Sequence, residues 1–129
     1  MTMVSWRARE SEKQARCREQ NESTEQAGAA RSAEPGKSSF RCECGDDLCS
    51  CAIALTATEY AVVRASATNF AVARNHENPE SEQVIHENER YAIVETVTAD
   101  ATQHARRSDP RQKRREHRWL QATRSGKPR

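Results

Sequence analysis

Thirteen of the chain's fifteen Leu, Ile, Val and Phe residues lie between Phe40 and Val97, and only Val4 and Leu120 fall outside. Fifteen such residues in 129 is too few for the whole length to bury a conventional core. The apolar residues therefore predict one compact centre of about 58 residues flanked by two weakly apolar arms. Charge is divided in the same way. Residues 40–97 carry 4 basic and 10 acidic side chains, a net of −6, while residues 98–129 carry 10 and 3, a net of +7. An acidic centre beside a basic tail can attract itself, an acidic partner or nucleic acid. Arg outnumbers Lys by 17 to 4, which a GC-rich coding sequence also produces, so the Arg bias alone is weak evidence of function.

A centre this small and this poor in large apolar groups needs a staple. Cys42, Cys44, Cys49 and Cys51 supply a candidate, four thiols within ten residues in the pattern C-x-C-x4-C-x-C. The N-terminus lacks the apolar core of a secretory signal, and no stretch approaches the roughly 20 apolar residues of a membrane span. The expected setting is thus cytoplasmic and reducing, with no membrane partner, and there clustered cysteines more often hold metal than disulfides. Zinc takes four ligands in a tetrahedron, drawn from thiolate and imidazole. In an extended segment C-x-C turns both sulfurs to one side, but four sulfurs from one short ribbon strain a single shell. A distant fourth ligand relieves that strain. His76 is the candidate and Cys51 the competitor. Cys17 stands alone in the N-terminal arm and reads as a small apolar contact.

Local signals place these residues. Residues from about Ser5 to Gln26 are good helix formers with a thin apolar stripe of Trp6, Ala8, Ala15 and Cys17. Gly28 to Ser39, with Pro35-Gly36 inside, reads as a linker. Short strands are expected at Phe40–Cys42 and Ile53–Leu55, around a turn at Gly45-Asp46-Asp47. Thr56 to Glu59 forms a capping box, opening a helix to about Ala65. A strand over Asn69–Arg74 leads into a polar loop holding His76. Glu82–Glu87 and Tyr91–Val97 make a hairpin. Asp100 with Gln103 starts a last helix that Pro110 ends. Asp46, Asp47, Glu43 and Glu59 are expected in solvent, and Tyr60 and Tyr91 in the core with hydroxyls at its edge. The predicted fold is α+β, a small antiparallel sheet with one or two short helices around a Cys/His metal site, preceded by an N-terminal helix. The organisation is an N-terminal helix over 1–27, a linker over 28–39, a small metal-binding domain over 40–105 and a basic disordered tail over 106–129.

Phe40-Arg41-Cys42-Glu43-Cys44, Cys49, Ile53-Ala54-Leu55-Thr56, Glu59-Tyr60 and Val63-Arg64 resemble a family of small bacterial proteins, mostly actinobacterial, with no assigned activity. Phe70, Val72, His76-Glu77, Pro79-Glu80, Tyr91 and Val94-Glu95 continue the pattern, and Arg16 to Glu22 is similar to that family's N-terminal helix. The likeness spans about residues 16 to 97. It implies Cys42, Cys44, Cys49 and His76 as the shared polar set, and leaves Cys51 and the Arg-rich tail outside it. A glycine usually precedes the histidine in that family. Here the residue is Asn75, which also tolerates left-handed backbone.

These features predict a non-enzymatic module with structural zinc, acting as a protein-interaction or regulatory adaptor for a partner whose identity the sequence does not give. Two other readings compete. The tail, through Arg111, Lys113, Arg114, Arg115 and Arg118, can neutralise phosphates of nucleic acid, though a solvated tail is the blander expectation. The thiols can act as a redox sensor in which Cys51 resolves a disulfide to Cys49 or Cys44. No Walker loop, dinucleotide-binding glycine pattern or H-E-x2-H motif is present, and the order of cysteines and histidine excludes a zinc deaminase pattern.

Overall fold

The computed structural model of the chain describes residues 6–31 and 36–112. The fold is mixed α+β. Helix α1 spans Trp6–Arg31, β1 Lys37–Arg41, β2 Ala52–Thr56 and α2 Ala57–Val63. Strands β3 (Asn69–Val72), β4 (Glu82–Glu87) and β5 (Ala92–Thr96) follow, then α3 over Ala99–Arg107. The strands form two antiparallel sheets rather than one, a β1–β2 ribbon and a three-stranded sheet in the order β3-β5-β4. Phe40 pairs with Ile53 in the ribbon, and Phe70 with Val94 in the larger sheet.

The local signals act as their chemistry requires. The Thr56 hydroxyl accepts from the Glu59 amide at 3.0 Å, and the Glu59 carboxylate accepts from the Thr56 amide at 2.9 Å. Glu59 also receives both terminal nitrogens of Arg90, at 2.9 and 2.6 Å. These bonds hold its carboxyl down at about 2 and tie α2 to the β4–β5 turn. Helix α2 closes two residues earlier than expected, with Arg64 as its C-cap. The β3 strand likewise ends at Val72, short of Arg74. The last helix begins earlier than expected, because Thr98 rather than Asp100 is its N-cap, accepting from the Ala101 amide. It closes at Arg107, ahead of Pro110, and the chain is helical again from Pro110, where a missing N–H in the first turn costs nothing. Helix α1 runs on to Arg31, and β1 starts at Lys37, so both ends of the expected linker are structured. The part of the tail beyond residue 112 lies outside the described residues.

Apolar residues gather in two neighbouring clusters. One joins Phe40, Ile53, Leu55, Tyr60, Val63 and Tyr91, with the Phe40 and Tyr60 rings stacked 4.7 Å apart. The other sets Phe70, Val72 and Val94 against Cys42 and Cys44.

Helix α1 docks on this centre in a way its thin stripe did not foretell. Ala8 is exposed and Cys17 buried, while the side chain of Trp6 lies outside the described side chains. The buried face is largely polar. Arg18 is completely enclosed, donating to the carbonyls of Ala67 at 2.6 Å and Ala105 at 2.7 Å and to the Ser108 hydroxyl at 3.1 Å. Its guanidinium lies 4.7 Å from the centre of the Phe70 ring. Burial, reinforced by nearby Arg64, lowers its pKa. One turn on, Glu22 accepts from Arg64 at 2.7 Å and from Arg111 at 2.9 Å, and Arg64 also pairs with Asp109. A polar face can be buried only when its groups find partners, and here nearly all of them do.

Candidate metal centre

Beyond β1 the chain stays extended through Cys42, Glu43 and Cys44. The Cys42 amide donates to the Cys51 carbonyl at 3.0 Å, and the Glu43 amide to the Ala71 carbonyl at 2.8 Å. This segment therefore bridges the ribbon and β3. Alternation along an extended chain turns Cys42 and Cys44 to one side and Glu43 to the other. Glu43 is fully buried, not solvated as expected. Its carboxylate accepts from Asn21 Nδ2 at 2.8 Å, from the Ala71 amide at 2.9 Å and from the Tyr60 hydroxyl. The Tyr60 hydroxyl is thus inside the core rather than at its edge. Burial pushes the Glu43 carboxyl up, against the pull of these three donors. Glu43 anchors the backbone that presents the two sulfurs.

The loop between the cysteine pairs is fastened from two directions. The Cys49 amide donates to the Asp46 carbonyl at 3.0 Å, and the Leu48 amide to Asp46 Oδ1 at 2.9 Å. From α1, Lys13 Nζ reaches the carbonyls of Asp46 and Cys49, the latter at 2.9 Å. Gly45 is needed for close approach rather than for the turn alone. A Cβ there would stand 2.6 Å from the Cβ of Glu10. Gly45→Ala is accordingly expected to push α1 off the loop and cost about 1–3 kcal/mol, measured as a lower urea midpoint with little change in the slope.

His76 enters from the loop after β3. Asn75 has φ of 68°, the left-handed conformation that Asn tolerates, and the His76 amide then donates to the Ala73 carbonyl at 3.0 Å. That turn swings the imidazole toward the cysteines. Nδ1 lies 3.5 Å from the sulfurs of both Cys42 and Cys49. One ligand atom each from Cys42, Cys44, Cys49 and His76 falls within 4.8 Å of all the others. Cys42 and Cys44 are buried, and Cys49 and His76 partly so.

These dimensions fit a metal. Zn–S bonds of about 2.3 Å and Zn–N bonds of about 2.0–2.1 Å at tetrahedral angles imply an S···N edge of roughly 3.5 Å. A surrounding amide also suits a thiolate. Ala73 N–H donates to Cys42 Sγ at 3.1 Å. The adjoining Cys44 pushes the Cys42 thiol up, and Cys42 in turn pulls Cys44 down. The four side chains can hold a metal ion. Cys51, the competing fourth donor, is exposed and stands outside the cluster.

Among known proteins, no family model, curated sequence or solved structure matches the chain.

The nucleic-acid candidates fare differently. Arg111 is engaged within the chain, 2.9 Å from Glu22 and 3.4 Å from Glu25. Lys113, Arg114, Arg115 and Arg118 lie outside the described residues. No helix among the described residues is long and apolar enough to cross a membrane. Lys13, Glu10 and Glu43 support the centre without having been singled out as such by spacing, since a lysine or glutamate on a polar helix or loop carries no local mark of a distant partner.

Proposed function

We propose that this chain is a small bacterial zinc module, cytoplasmic and without catalytic activity, that serves as a protein-interaction or regulatory adaptor. The convergence of three sulfurs and one imidazole nitrogen within 4.8 Å carries the reading. A donor set rich in thiolate favours zinc or iron over magnesium or calcium. Three cysteines and a histidine fill a tetrahedral shell and leave no position for water or substrate, which favours a structural ion over a catalytic one. The adaptor half draws on Leu48 at the loop tip. The residue is 91% exposed between Asp47 and Cys49, an apolar point on an acidic loop.

The test uses the full-length chain. Metal analysis by mass spectrometry is expected to find one zinc per chain in the wild type and in Cys51→Ala. His76→Ala is expected to bind at least roughly tenfold more weakly, since outer-shell changes alone commonly cost that much. Loss with Cys51→Ala and not with His76→Ala overturns the ligand set. A Leu48→Glu chain that keeps its zinc but no longer retains the proteins that co-purify with the wild type supports the adaptor role. Unchanged retention counts against it.

A further inference from the structure

Building on the metal reading above, we infer that Cys49 and Cys51 form an oxidation site for hydroperoxides, through which the bound ion is released. Five thiols are present, and their surroundings separate them. Cys17, Cys42 and Cys44 are buried, Cys49 is partly buried and Cys51 is exposed. Cys49 is therefore the cluster sulfur that solvent reaches most readily, and Cys51 is the exposed thiol outside the four-residue cluster. The two are near neighbours along the chain, with only Ser50 between them. Two residues apart, their Cα atoms separate by at most about 7 Å. An inward bend brings them into the range of about 4.4–6.8 Å that a disulfide spans. Cys42 is a poorer partner. Its backbone faces Cys51, but its sulfur is buried and accepts the Ala73 amide.

The chemistry balances with a hydroperoxide as oxidant. The Cys49 thiolate attacks the outer peroxide oxygen and the O–O bond breaks, forming a sulfenic acid and releasing hydroxide or, from an organic hydroperoxide, an alkoxide, which takes up a proton to become water or an alcohol. The Cys51 thiol then attacks the Cys49 sulfur, the S–O bond breaks and a second water leaves with the Cys51 proton. Two thiol sulfurs lose two electrons to the peroxide. Cys49 can then no longer act as a thiolate ligand, and the shell falls to Cys42, Cys44 and His76. The small, strained ring closed by such a disulfide is readily reduced, so thiol reductant restores the site.

The test follows zinc-loaded full-length protein under hydrogen peroxide, with a zinc-sensitive dye, a free-thiol count and mapping of disulfide peptides. The expected result is one zinc released per Cys49–Cys51 disulfide, reversed by reductant and added zinc. Cys51→Ser is expected to bind zinc like the wild type, but under peroxide it forms no disulfide and Cys49 passes on to sulfinic acid, so reductant and added zinc no longer restore the site. Reductant that restores peroxide-treated Cys51→Ser as fully as the wild type, or a disulfide mapped to another pair, overturns this proposal and leaves the metal reading standing. A wild type that binds no zinc before peroxide is added overturns the metal reading, and this proposal with it.

Discussion

Stripping the metal is expected to abolish the cooperative heat-capacity transition of the centre, and Cys44→Ser should do the same without chelator. The ion would join three separate stretches of chain: the C-x-C segment after β1, the far side of its loop, and the loop after β3. Between Cys44 and Cys51 there is no regular structure to hold the loop in place, only a few backbone bonds and the Lys13 clamp. Removing the ion leaves three sulfurs and an imidazole within 4.8 Å of one another without the cation that would join them. Structural zinc contributes on the order of 10–16 kcal/mol in small zinc-dependent peptides, against a total stability of about 5–15 kcal/mol for ordinary domains. The loss is therefore of the same size as the fold's whole margin. Scanning calorimetry of the wild type with and without excess chelator checks it, with Cys51→Ser as the variant whose transition should match the wild type. A chain that melts with the same enthalpy and midpoint in chelator would refute a metal at this site.

What could be read from the residues was whatever is encoded locally. The Thr56–Glu59 box, the β4–β5 hairpin and the alternation at Phe70 and Val72 each lie within a few neighbouring positions, and each forms where the pattern places it. His76 was legible as a distant donor because a four-sulfur ribbon would be strained and a strand leads into its loop. Asn75 was legible as a residue able to take the left-handed turn before it. Element ends were less so. Arg64 closes α2 early, and Thr98 opens α3 early, because the competing caps are near neighbours in sequence and geometry decides between them.

The packing of α1 was not legible, for a different reason. Apolar periodicity reports a helix face that will be buried in oil, and α1 has almost none. Its buried face is built from Arg18, Asn21 and Glu22, whose partners are backbone carbonyls at Ala67 and Ala105 and side chains at Glu43 and Arg64. Those partners exist only after the sheets and α2 have formed. The same holds for Glu43, which reads as surface until Asn21, Tyr60 and Ala71 surround it. The shortage of Leu, Ile, Val and Phe thus misjudges how much chain becomes ordered. A satisfied polar interface does part of what apolar area does elsewhere, at the risk that losing one member strands the rest.

That risk makes Arg64→Met the second large effect, an expected loss of about 3–5 kcal/mol. Arg64 is fully enclosed and joins Glu22 on α1 to Asp109 after α3, whose side chains are 3% and 4% exposed. Removing the guanidinium leaves both carboxylates buried, with Arg111 still on Glu22. Arg64→Lys should not rescue, because one ammonium lacks the planar fork that serves two carboxylates at once. A triple replacement, Arg64→Met with Glu22→Leu and Asp109→Leu, should recover much of the loss, since well-packed apolar groups often replace a buried ion cluster at little cost. The pH dependence gives a second readout. Burial pushes the Glu22 carboxyl up, but the bonds from Arg64 and Arg111 push it further down, to a net value below the ordinary one. In the wild type its contribution is therefore complete above the unfolded value of about 4.3 and fades only as pH falls through the lower folded value. Without Arg64 burial weighs against the bonds from Arg111 alone, and the folded pKa rises from its wild-type position. The variant then gains relative stability as pH falls toward the unfolded value. Urea unfolding at pH 8 and pH 5.5, kept above the acidity at which thiolate ligands release metal, should show the gap between variant and wild type narrowing at the lower pH. A gap that stays constant would mean the loss comes from packing around Arg64 and not from stranded charge.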